Sequence, residues 1–77
     1  MTEKLPRITA IEIIKVLEKA DFFLSRQSGS HKIYKNRAGK RTTVPFHASK
    51  TLHPKTLKSI LRDADLTVDR LIELLKG

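Results

Sequence analysis

Cysteine is absent from this sequence, and with it go disulfide bridges, thiolate metal sites and cysteine nucleophiles. That fits a reducing compartment, and a cytoplasmic location is expected. Long apolar runs are absent too. The longest is Phe22-Phe23-Leu24, too short for a transmembrane helix or for the apolar core of a signal peptide. Acidic residues are missing from the middle of the chain: between Phe22 and Lys58 there are nine Lys and Arg side chains and no Asp or Glu. A block of one sign without counter-charge excludes a self-neutralised surface there and points to an anionic partner.

What is present is an ordinary globular balance, 39% hydrophobic and 31% charged residues in 77, too apolar for a disordered tail. A chain of this length holds one small domain, read here as residues 1–77, and has little room for a deep active site. The formal charge is +8, concentrated in the central block, because the segments on either side are nearly neutral. Nucleic acid is the first candidate partner.

Thr9-Ala10-Ile11-Glu12 reads as a capping box, and Ile8 with Ile13 as a hydrophobic staple. Ile13, Ile14, Leu17 and Ala20 then recur at helical spacing, which predicts a helix over 10–20. In the central block β-branched and aromatic residues appear, punctuated by Gly29 and Gly39. This predicts strands over 22–28, 31–37 and 41–47 joined by tight turns, with Pro45 placing the third at an edge. Pro54 suits a first helical position, and Leu57, Ile60, Leu61 and Ala64 predict a helix over 54–64. Thr67 caps a last helix over 68–76, with Leu66 and Leu71 as its staple. The predicted fold class is α+β, a two-layer sandwich in which a three-stranded antiparallel sheet is backed by helices on one face and left open on the other.

Chemistry can be narrowed by elimination. His47 and His53 have no Cys, Asp or Glu in their segment to complete a metal-ligand set, so no metal or other cofactor is expected. Gly39-Lys40 lacks both the upstream glycine and the following Ser or Thr of a phosphate-binding P-loop. No carboxylate lies in the strands to orient a histidine for a serine triad. RNA cleavage needs none of these: the substrate brings its own 2′-hydroxyl, and the protein supplies proton transfer and positive charge. Histidine is the residue type suited to that proton transfer.

His31 is the best-placed histidine, following Gly29-Ser30 at a strand-opening turn where backbone can approach a phosphate closely. Arg26, Lys32, Lys35 and Arg41 are the candidate phosphate contacts around it, with Gly29 and Ser30 in the turn itself. Strict alternation puts His31 on the face of Ile33 and opposite Tyr34, which leaves its face either partly apolar or re-aimed by a bulge. His47 is a possible second proton-transfer residue, against the simpler reading of a strand-end histidine. His53 is most simply a helix-entry residue, and Tyr34 a core residue before a base-stacking one. A non-catalytic RNA-binding module is the alternative that the basic sheet alone would equally produce, while a DNA-binding role finds no basic recognition helix.

Three segments in register carry a resemblance: Arg26-Gln27-Ser28-Gly29-Ser30-His31-Lys32-Ile33-Tyr34, Val44-Pro45-Phe46-His47, and Thr56-Leu57-Lys58-Ser59-Ile60-Leu61-Arg62. With the opening helix ending at Leu17-Glu18-Lys19-Ala20-Asp21-Phe22, the chain resembles HicA-type toxins over nearly its whole length. The resemblance implies a double-stranded-RNA-binding-like fold and the activity of a ribosome-independent mRNA interferase. It also implies single-stranded mRNA as substrate and a HicB-type antitoxin protein as partner, with His31 as the catalytic residue of the Gly-Ser-His motif. Asp21 and Asp65 stand where the family often has glycine at helix exits, and Ser49-Lys50 where it has Gly-Lys.

Overall fold

A computed structural model describes residues 5–47 and 50–77. The elements run α1 (Ala10–Lys19), β1 (Phe23–Ser28), β2 (His31–Lys35), β3 (Arg41–Pro45), α2 (Pro54–Asp63) and α3 (Val68–Lys76). The sheet is antiparallel in the order β1-β2-β3, so β3 is an edge strand, as Pro45 requires. The architecture is the α+β sandwich expected from the sequence.

Local chemistry sets the helix boundaries. The Thr9 hydroxyl accepts from the Glu12 backbone N–H at 3.3 Å while the Glu12 carboxylate accepts from the Thr9 N–H at 2.9 Å, a capping box of the kind that contributes about 1 kcal/mol. At α2, His53 is the N-cap residue, its Nδ1 accepting from the Lys55 N–H at 3.1 Å. Thr67 caps α3 through the Arg70 N–H at 3.0 Å.

Two helices end alike. At α1 the Phe22 N–H donates to the Leu17 carbonyl and the Asp21 N–H to the Glu18 carbonyl; at α2 the Leu66 N–H reaches Leu61 and the Asp65 N–H reaches Arg62. Both are Schellman closures, with Asp21 (φ +68°) and Asp65 (φ +59°) in the left-handed conformation that glycine usually takes. The closure also explains why β1 starts at Phe23 rather than at 22. Phe22 turns into the core beside Leu17, and only the residue after it joins the ladder. β2 ends at Lys35, short of 37, because Asn36 is taken by the turn, its carbonyl accepting from Gly39 and its side chain from Lys40. β3 ends at Pro45 rather than 47.

The core lies between the helices and one face of the sheet: Ile13, Val16, Leu17, Leu57, Ile60, Leu61 and Leu71 from the helices meet Tyr34 and Val44 from the strands. Thr42 is the buried polar member, its hydroxyl donating to the Ile60 carbonyl at 3.3 Å and so tying β3 to α2. The Lys19 ammonium donates to the Leu74 carbonyl at 2.8 Å and joins α1 to the end of α3. Helices α1 and α2 pack on β3, whereas β1 is exposed along its whole length.

Candidate functional site

Directly opposed residues in an antiparallel sheet share a face. Tyr34 pairs with Thr42 and Lys32 with Val44, and since Thr42, Val44 and Tyr34 are buried, this is the helix-covered face. His31 pairs with Pro45, Ile33 with Thr43 and Lys35 with Arg41, and these occupy the open face. Ser28, Arg26 and Phe23 complete the same three rows from β1. The open face is therefore an array of Ser28-His31-Pro45, Arg26-Ile33-Thr43 and Phe23-Lys35-Arg41. His31 does share the face of Ile33, which is partly apolar as strict alternation demands, and no bulge intervenes at Gly29.

The register shifts instead between Leu24 and Arg26, where Ser25 is the extra residue of a β-bulge. The consequence lies upstream of it. Without the bulge, Leu24 would join Arg26 and Ser28 on the open face; with it, Leu24 turns toward the helix side and Phe23 comes to the open one. Phe23 was not among the site residues expected from the sequence. Its signal was the run Phe22-Phe23-Leu24, which no strict two-residue alternation can place on a single covered face.

Gly29 and Ser30 form the two-residue loop of the β1–β2 hairpin. Gly29 has φ +58° at the first central position, the requirement of a type II′ turn. The Ser30 carbonyl accepts from the Phe46 N–H at 2.6 Å, extending the β2–β3 ladder one residue past Pro45. His47 follows at that end of the sheet, exposed, with its carbonyl accepting from the Lys50 N–H at 2.9 Å. Ser49, in the loop where the family pattern has glycine, lies outside the described residues.

Of the basic residues expected to form one group, the fold brings Arg26, Lys35 and Arg41 onto the face of His31 and sends Lys32 to the other. The Lys32 ammonium sits over the Phe46 ring, 4.0 Å from its centroid. Tyr34 is a core residue, 3% exposed, and burial, with a smaller contribution from the Glu18 carboxylate, raises its phenol above the usual value. His53 is the N-cap residue of α2 and is not a member of the sheet rows.

Among the described residues, the paired rows of the open face hold no carboxylate, and the ion pair formed is Arg70 with Glu73, on α3. Arg26, Lys35 and Arg41 thus keep their charge for an external anion. Among the described residues no three His, Cys, Asp or Glu side chains converge as a metal site would need. His31 lies on an exposed face, not in a cavity. A surface groove lined by Glu18, Asp21, Asn36, Arg37 and Ala38 meets the open face at Phe23, and His31 does not line it. A flat cationic face with one histidine at its margin suits a polymeric anion better than a small molecule. No helix of the described residues is long and apolar enough to cross a membrane.

The model of the family described as HicA toxin of bacterial toxin-antitoxin systems matches residues 11–66, from the first turn of α1 to the Schellman closure of α2. No curated protein matches the sequence.

Proposed function

The chain belongs to the HicA family, the toxins of bacterial toxin–antitoxin systems whose cognate partner is a HicB-type antitoxin, and on that footing we propose that it is a metal-independent endoribonuclease that cleaves mRNA with His31. The observation that carries this reading is the position of His31 at the margin of an open sheet face whose paired rows present Arg26, Lys35 and Arg41 and, among the described residues, no carboxylate.

The chemistry asks little of the protein. His31 takes the proton from a ribose 2′-hydroxyl, the 2′-oxygen attacks the adjacent phosphorus, and the bond to the 5′-oxygen breaks. The products are a 2′,3′-cyclic phosphate and a 5′-hydroxyl, whose oxygen gains a proton. Negative charge developing on the phosphoryl oxygens is met by the Arg26 guanidinium, one row away, and by the Gly29 and Ser30 turn beside the histidine. His47 is the second histidine at this end of the sheet, and its replacement decides whether it, rather than a lysine or water, protonates the leaving oxygen. The antitoxin inhibits by covering this face.

The test is cleavage of a labelled single-stranded mRNA fragment in EDTA by wild type, His31→Ala and His47→Ala, with RNA binding measured in parallel at fixed salt. Wild type should cut, and His31→Ala should bind without cutting. A loss on the order of 10²-fold or more in His47→Ala marks it as the second proton carrier. Binding without cleavage by every protein, wild type included, would make the chain a non-catalytic RNA-binding module.

A further inference from the structure

Phe23 is the one aromatic side chain on the open face. Its exposure, 51%, is the highest of the large hydrophobic residues among those described. A single exposed apolar residue is unremarkable by itself. Three features set this one apart.

The first is that its orientation depends on an irregularity. The bulge at Ser25 turns Phe23 outward, whereas regular pairing would have turned it to the covered side. Bulges recur beside functional sites because they re-aim side chains in this way. The second is its company. Phe23 pairs with Lys35, which pairs with Arg41, so the half-exposed ring heads a row that continues in two cations, while the groove on its other side is lined by Glu18 and Asp21. The third is its position relative to His31. Both lie on one face, and Lys35, the partner of Phe23, is four residues from His31 along β2, about 13 Å at strand rise. A few nucleotides of single strand span that distance.

We propose that Phe23 is a base-stacking site for single-stranded RNA, holding an unpaired base of the substrate while Lys35 and Arg41 contact the flanking phosphates. It rests on the RNA-cleaving reading of the same face. A ring with adjacent cations matches the composition of a nucleotide, whose base offers a π-face and whose phosphate offers charge. Helix-packed apolar surface would need no cations, and a purely electrostatic groove would need no ring. Stacking accepts any base, so Phe23 contributes affinity and register and leaves sequence choice to other contacts.

The experiment compares two uncleavable 2′-O-methyl oligonucleotides of equal length, one with bases and one abasic, by fluorescence anisotropy at fixed salt. The phosphates are the same, so the ratio of the two affinities isolates the base contribution. Wild type should favour the base-bearing strand by about ten-fold or more, the scale of one stacked base. Phe23→Ala and Phe23→Leu should both lose most of that preference, the leucine keeping an apolar side chain without a π-face, and Phe23→Trp should retain it. Lys35→Gln and Arg41→Gln should weaken both strands alike and leave the ratio unchanged. A ratio unaltered in Phe23→Ala overturns the stacking site while the RNA-cleaving reading stands, and weakened antitoxin binding in the same variant would hand the residue to a protein interface. Failure of wild type to bind either strand removes the RNA reading and the stacking site together.

Discussion

Ser28 stands directly opposite His31 across the β1–β2 pair, and the loop that closes between them is only Gly29 and Ser30. The histidine is thereby fixed at the first position of its strand, held from one side by this hairpin and from the other by its pairing with Pro45. Whatever disturbs the turn also moves the side chain that follows it.

Gly29→Ala should therefore test the turn with little steric confusion. A Cβ built at Gly29 meets nothing within 4 Å, so the substitution costs only the left-handed conformation at φ +58°. The expected loss is about 1 kcal/mol in urea denaturation. Gly29→Asn should lose less, because asparagine tolerates this region better. A much larger loss in the alanine variant would mean that the turn contributes something beyond its backbone conformation.

Asp21 and Asp65 present the opposite case: a side chain where glycine is favoured, with a carboxylate at the negative end of a helix dipole. Asp21→Gly and Asp65→Gly should each raise stability by about 0.5–1 kcal/mol. Asparagine at the same positions removes the charge but keeps the side chain, and so separates the two contributions. The charge share should be small, because both aspartates line a groove that also holds Lys19, Lys40 and Arg70. Thermal or urea unfolding of the four single variants measures this directly.

The parts of this fold that are readable from sequence are the local ones. Thr9 with Glu12, Ile8 with Ile13 and Thr67 with its following turn are three or five residues apart, and their geometry follows from helix spacing alone. The three strands and the edge position of β3 follow from residue type and from Pro45. Register is different, because it depends on pairing between segments. The bulge at Ser25, which decides that Phe23 and not Leu24 shares the face of His31, has no local signature beyond an awkward apolar run. Lys32 likewise reads as a neighbour of His31 in the chain, yet alternation sends it across the sheet to the Phe46 ring. Which face is covered becomes clear only once the helices are in place.

Tyr34 ties stability to alkaline pH. Burial first, and the Glu18 carboxylate second, raise its phenol in the folded state above the ordinary value of 10.0. Above that value the unfolded chain releases the proton and the folded chain retains it, so the unfolded state binds fewer protons and stability falls as pH rises. Below it both states are protonated and the group contributes no slope. Wild type should accordingly lose stability from about pH 10 upward, by at most about 1.4 kcal/mol per pH unit. Tyr34→Phe should lack this component. The measurement is the difference between the two denaturation curves across that range, and parallel curves would mean that the phenolate is accommodated in the core.

The division of the basic block between two faces has a measurable signature in salt. Each lysine or arginine that neutralises a phosphate releases counterions, and for single strands the slope of log affinity against log salt changes by about 0.7 per contact. Arg26→Gln, Lys35→Gln and Arg41→Gln should each flatten that slope by about this amount, since all three share the open face with His31. Lys32 lies on the opposite face, its ammonium over the Phe46 ring, where the interaction is worth about 0.5–1 kcal/mol near a surface. Lys32→Gln should therefore lower stability by about that much and leave the salt slope nearly unchanged. Equal flattening by all four substitutions would mean that the RNA wraps the sheet edge and reaches both faces. The open face would then be only part of the interface, and Lys32 would belong to it with the three cations of the His31 face.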